Sequence, residues 1–70
     1  MKPTLAEVEE EAARVFAEAS IKDLEYTREI ARSVFGDDIA DLFERAAIDR
    51  NAQATKEFAR FIWERDLVPS

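Results

Sequence analysis

Residues 37–66 decide the fold, and they read DDIADLFERAAIDRNAQATKEFARFIWERD, with neither Gly nor Pro among them. Four of the seven aromatic residues of the chain lie here, namely Phe43, Phe58, Phe61 and Trp63. Gly and Pro are the residues that interrupt helices most strongly, so a run of this length without them favours helical structure. We predict that this stretch forms the axis onto which the preceding part of the chain folds.

Apolar side chains recur within this stretch at the spacing of one helix face. The first series is Ile39, Leu42, Phe43 and Ala46, and the second is Ala54, Thr55, Phe58, Phe61 and Ile62. The pattern lapses at residues 49–51, where two arrangements fit. Either one long helix runs to about residue 64, or Asn51 caps a second helix after a break. We predict the break, because the apolar stripe is interrupted for a full turn and a single straight helix would have no apolar contact over that turn.

Two earlier segments carry signals for the start of a helix. Thr4 and Glu7 match a capping box, in which each side chain bonds to the other residue's backbone amide. They predict a first helix over residues 5–19, with the inward stripe Leu5, Val8, Ala12, Val15, Phe16 and Ala19. Ser20 and Asp23 resemble a second capping box and predict a second helix almost without a linker.

The second helix is predicted to end at Gly36, the only glycine, because a left-handed residue commonly terminates a helix. Its apolar face is predicted to contain Ile21, Leu24, Ile30, Ala31, Val34 and Phe35. Asp37 or Asp38 is then predicted to cap the third helix. No segment alternates with period two, so no strand is predicted.

These signals predict an all-α fold, a compact bundle of three to four short antiparallel helices forming one domain over residues 1–70. The predicted core is Leu5, Val8, Val15, Phe16, Leu24, Ala31, Val34, Ile39, Leu42, Phe43, Phe58 and Ile62. A chain of 70 residues buries only ~60% of its unfolded surface. It also has no Cys, so neither disulfides nor thiolate metal sites can supplement the core.

The chemistry of catalysis is poorly represented in this chain. It has no His and no Cys, which removes the usual general bases and most activated nucleophiles. One Gly cannot build a phosphate-binding loop. Asp37, Asp38 and Asp41 do not supply the spaced oxygen cage that Ca²⁺ requires. We therefore expect no enzyme activity, no catalytic residue, no cofactor and no metal site.

The charge balance restricts the class of partner. Ten Lys and Arg against sixteen Asp and Glu give a net charge of −6, and the cations are scattered. Phosphate backbones and anionic membranes both need clustered cations, so neither nucleic acid nor membrane is an expected partner. No apolar run approaches the ~18 residues of a spanning helix. A protein partner with a basic surface or an apolar groove fits, and we expect a cytoplasmic location.

The aromatic residues near the end of the chain supply the candidate partner-binding site. Phe61 and Trp63 flank Ile62, and three consecutive bulky residues cannot all face one core at 100° per residue. At least one of Phe61 and Trp63 is therefore predicted to lie at the edge of the fold, where Trp is a frequent interface anchor. In the alternative, Trp63 packs over the end of helix 1 or over Leu67 and Val68.

Two function classes follow from these residues. The first is a non-enzymatic protein-interaction module, natural or computationally designed, that uses the helical face near Phe61 and Trp63. The second is a designed structural scaffold without a partner. Two capping boxes and dense Glu/Arg pairs are typical of designed chains.

A third function comes from a resemblance that covers about residues 21–55. The residues that carry it, without a gap, are Ile21, Leu24, Glu25, Asp37, Phe43, Ala46, Ala47, Arg50, Ala52 and Thr55. In these positions the chain resembles the Hha/YmoA family of small nucleoid-associated modulators, which are all-helical and bind the oligomerisation region of H-NS-type proteins. The family's Asp-His after the paired alanines is Ile48-Asp49 here, and its Tyr-Asp-Lys-Ile-Pro segment is absent. The resemblance implies an all-α fold and a nucleoid-associated modulator.

Overall fold

Within residues 2–67 the protein forms four α-helices and one π-helical turn, joined by short connections. The structure is a computed structural model that describes residues 2–67. Its elements are α1 (Leu5–Glu18), α2 (Ile21–Phe35), α3 (Asp37–Phe43), a π-helical turn (Glu44–Ile48) and α4 (Ala52–Glu64). No strand occurs within these described residues. The predicted all-α fold is therefore confirmed.

Side-chain caps start three of the helices. Thr4 and Glu7 form the predicted capping box at α1, with Thr4 N–H donating to Glu7 Oε1 at 3.0 Å and Glu7 N–H donating to Thr4 Oγ1 at 3.2 Å. Asn51 Oδ1 accepts the Ala54 amide at 3.0 Å, so the predicted break and cap are confirmed. Ser20 accepts only the Asp23 amide, at 3.2 Å. In a full capping box the side chain three residues ahead also accepts the amide of the capping residue. Aspartate is one methylene shorter than glutamate, so the Asp23 carboxylate does not reach the Ser20 amide.

Gly36 ends α2 and also occupies the N-cap of α3. Its φ of 96° and ψ of 177° lie in a region that is essentially restricted to glycine. The prediction that Asp37 or Asp38 caps α3 is wrong. Both residues are already in the first turn, where their negative charge suits the helix dipole. Asp37 Oδ1 instead accepts a bond from Arg32 Nη1 at 2.8 Å.

The predicted break after α3 begins with a π-helical turn. Asp49 N–H donates to Glu44 O at 3.0 Å across five residues, and Asn51 N–H donates to Arg45 O at 3.0 Å across six. Arg50, between them, has a φ of 57°, the left-handed conformation that usually selects glycine. A non-glycine residue in this conformation costs about 1–2 kcal/mol. The surrounding hydrogen bonds hold the turn despite that cost.

The helices pack as two pairs. α1 packs mainly on α4, and α2 packs mainly on α3 and the π-helical turn. α1 and α4 run antiparallel, because Trp63 near the end of α4 donates its Nε1–H to Pro3 O, just before α1, at 2.8 Å. The short α3 and the π-helical turn connect the two pairs, since both also contact α4.

Three phenylalanines join the pairs at the centre. Phe43 meets Phe16 and Phe58 edge to face, with ring centroids 5.4 Å apart in both cases. Most of the remaining buried residues are alanines, which allow the helix backbones to approach closely. The buried set is Val8, Ala12, Phe16, Leu24, Ala31, Ala40, Phe43, Ala46, Ala47, Ala54 and Ala59. No polar or charged residue within residues 2–67 is buried.

Seven of the twelve predicted core residues are less buried than expected. Val15 and Val34 are exposed, at 44% and 64%. The half-buried members are Leu5, Ile39, Leu42, Phe58 and Ile62. The prediction that Val15 is buried is wrong because the buried stripe of α1 repeats every four residues through Val8, Ala12 and Phe16. The Val15 side chain lies beside that stripe. The prediction that Val34 is buried is wrong because other helices pack against α2 on one side only, the side that carries Leu24 and Ala31.

Candidate functional site

The candidate site is a groove beside α1, defined here as the apolar groove. Its volume is about 410 Å³, within the range of small-ligand and peptide-binding clefts. The apolar lining comes from both helices of the first pair and consists of Val8, Ala12, Val15, Phe16, Phe58 and Ile62, with Pro3 at one end. The groove exists because α1 and α4 touch along one line only, so the flank of each helix beside that line stays open.

Phe61 neighbours Phe58, a lining residue of this groove, and belongs to a chain of aromatic rings. Its ring is half-buried and meets Phe35 edge to face, with centroids 5.3 Å apart. On the other side it lies 6.3 Å from Phe58, which lines the groove. The Arg65 guanidinium lies 4.6 Å above the Phe61 ring. Phe35 is 41% exposed, so the chain of rings leads from the surface into the core.

Trp63 is also half-buried but lies beside the start of α1. Its Nε1–H donates to Pro3 O at 2.8 Å, and the ammonium of Lys2 lies 4.3 Å from the ring centroid. The alternative placed Trp63 over the end of helix 1 or over Leu67 and Val68, whereas the structure places it against Lys2 and Pro3, at the start of that helix. Val68 lies outside the described residues. Each predicted partner-binding residue therefore contacts a residue of the groove lining, Phe61 through Phe58 and Trp63 through Pro3.

The groove itself was not predicted from the sequence, because all of its apolar residues except Pro3 were assigned to inward-facing stripes. Val15 is the informative residue, since its exposed side chain extends the groove onto the surface of α1. The signal that could have identified it is the width of the apolar face of α1. Val15 and Phe16 are adjacent apolar residues, and one neighbouring helix rarely covers both.

One rim of the apolar groove is acidic. Glu7 and Glu11 border it one helical turn apart. The amide and hydroxyl of Thr4 donate to the Glu7 carboxylate and lower its pKa below the usual value. Glu11 pairs with Arg14, which also reaches Glu18 at 3.2 Å. The Glu7 carboxylate is therefore ionised at neutral pH.

Elsewhere in the described residues, side chains form ion pairs and helix caps. None of the groups with shifted pKa values among residues 2–67 is buried, and their shifts come from a helix cap or from ion pairs. The Arg28 pKa, for example, is raised by hydrogen bonds to Glu29 and Glu44. No group of three acidic side chains within residues 2–67 is placed to hold a metal ion. Over the same residues, every helix is too short or too polar to cross a membrane.

Comparison of the chain with models of protein families, with curated proteins and with solved structures finds no match. The resemblance to the Hha/YmoA family therefore stays an interpretation of the residues quoted above.

Proposed function

We propose that this protein is a non-enzymatic protein-interaction module whose apolar groove receives an amphipathic helix of a partner protein. The observation that carries the proposal is the groove itself, which leaves Val15 exposed and Phe58 and Ile62 only half-buried between two antiparallel helices. A cleft of this form suits a helix that inserts apolar residues spaced three and four apart. Phe61 and Trp63, the predicted partner-binding residues, each contact one residue of the groove lining, Phe58 and Pro3 respectively.

Charge indicates which helices the groove prefers. Glu7 and Glu11 form one rim, and the chain as a whole carries a net charge of −6. A partner helix with Lys or Arg beside its apolar face would be attracted over a distance of about 8 Å at physiological salt. We therefore propose a basic amphipathic helix as the partner. A chain without Cys is also suited to the cytoplasm, which we propose as its location.

The proposal is tested with peptides selected for binding to the intact protein from a display library of amphipathic helices. Two variants then locate the binding surface. Val15→Glu places a charge in the groove, and Val34→Glu places the same charge on the exposed face of α2. We expect Val15→Glu to weaken the selected peptides at least tenfold and Val34→Glu to leave them unchanged, as measured by fluorescence anisotropy.

The same experiment separates this function from that of a structural scaffold without a partner. The scaffold is supported by Trp63, whose indole N–H is already bonded within the fold. It predicts that no peptide is enriched, or that the enriched peptides tolerate Val15→Glu as well as Val34→Glu. Either result would refute the apolar groove as a docking site.

A further inference from the structure

A second groove lies on the opposite flank of α1, with a volume of about 450 Å³. Phe16 and Ala46 form its floor. Ala13, Ala17 and Ala52 are exposed along its walls and leave room for another helix to approach. We call it the charged groove, because its two rims carry opposite charges.

The charges on these rims have no partners within the described part of the chain. Glu9 and Glu10 stand on the α1 rim, and Arg50 and Lys56 stand on the opposite rim. The ion pairs formed among residues 2–67 involve other side chains, so all four charges remain available to another molecule.

The two rims lie on opposite sides of the groove, the acidic one on α1 and the basic one at the start of α4. A two-fold axis parallel to the groove turns a second copy face to face with the first and brings each acidic rim opposite the other copy's basic rim. A two-fold interface requires such self-complementarity.

We propose that two copies of this chain associate through the charged groove, with Glu9 and Glu10 of one copy facing Arg50 and Lys56 of the other. This proposal is independent of the proposed function, because the apolar groove lies on the other flank of α1 and stays open in the dimer. Its consequence for binding is bivalence, since a dimer presents two apolar grooves at once.

The experiment is sedimentation equilibrium of the full chain up to about 1 mM at physiological salt, where charges farther apart than ~8 Å are screened. We expect the average mass to rise from 8.0 kDa toward twice that value, and the rise to shrink as salt is added. Glu9→Lys with Glu10→Lys should abolish the rise, because two basic rims then face each other. Arg50→Glu with Lys56→Glu should abolish it for the opposite reason.

Mixing these two double variants gives the decisive measurement, because each acquires the rim that complements the other. We expect the mixture to dimerise although neither variant does so alone. Their formal net charges are −2 and −10, since each reversal changes the net charge of −6 by two, so general attraction cannot explain the result. Glu25→Lys with Asp41→Lys reaches −2 at sites outside the groove, and this control should dimerise like the parent. Circular dichroism verifies that every variant is folded.

A parent chain that stays monomeric at about 1 mM would overturn the proposal. So would a mixture with no more dimer than its components, or a control that dissociates as fully as the rim variants.

Discussion

Replacing Phe43 with alanine removes the residue through which the two helix pairs meet. Its side chain is 3% exposed, and its ring contacts both Phe16 and Phe58 at 5.4 Å. Deleting a buried phenylalanine costs about 3–5 kcal/mol in lost transfer energy and residual cavity. A chain of 70 residues has a total stability of only about 4–10 kcal/mol. The substitution should therefore remove at least about 30% of the free energy of unfolding.

Thermal and urea unfolding, followed by far-UV circular dichroism, measure this loss. At roughly 4–8 °C per kcal/mol for a domain of this size, the melting temperature should fall by at least ~12 °C. Phe35→Ala is the matched control, since its ring is 41% exposed and contacts Phe61 at one edge, so its cost should be about 1–2 kcal/mol. A Phe43→Ala protein that melts within a few degrees of the parent, or level with the control, would refute the central role of Phe43.

Three further substitutions test local features of the fold. Thr4→Ala should cost about 1 kcal/mol of stability. It should also flatten the acid side of the pH–stability curve. Folding lowers the pKa of Glu7 below its ordinary value of 4.5, so the stabilisation from Glu7 is present above pH 4.5 and is lost as the pH falls through the lowered value. An unchanged urea midpoint and an unchanged pH profile would refute this. Gly36→Ala should cost about 1–3 kcal/mol through backbone strain alone, since an added Cβ meets nothing within 4 Å. A synthetic protein with D-alanine at residue 36 should keep the parent stability, and equal losses for both alanines would contradict the explanation. Trp63→Phe should cost about 1 kcal/mol, because the carbonyl of Pro3 loses its donor; a melting temperature equal to that of the parent would show that the bond contributes nothing.

The helix boundaries could be predicted from the sequence because short polar side chains mark them locally. Thr4, Ser20 and Asn51 each accept a backbone amide three residues ahead, and Gly36 has the positive φ expected of a helix terminator. The π-helical turn could not be predicted, because a bond across five residues has no sequence signal of its own. Its effect is visible in Ala46 and Ala47, adjacent residues that are both buried.

The core and the site depend on how helices are placed against each other, which periodicity alone does not specify. Ala40 and Ala59 are buried because helices approach closely there, and a small side chain gives little hydrophobic signal in the sequence. The apolar groove depends on which flank of α1 stays uncovered. The sequence therefore placed at least one of Phe61 and Trp63 at an edge without indicating that Val15, on another helix, lines a groove next to them.

The hydrogen bond from Trp63 to Pro3 also affects how this domain can be fused to other polypeptides. It holds the beginning of α1 and the end of α4 at one pole, whereas Asn51 lies at the other end of α4, about 20 Å away for 13 residues. The domain could consequently be inserted into a surface loop of a host protein without forcing the two ends of that loop apart. A circular permutant that links residues 2 and 67 and opens at residues 49–51 should retain every helix, because the new ends would fall between the π-helical turn and α4.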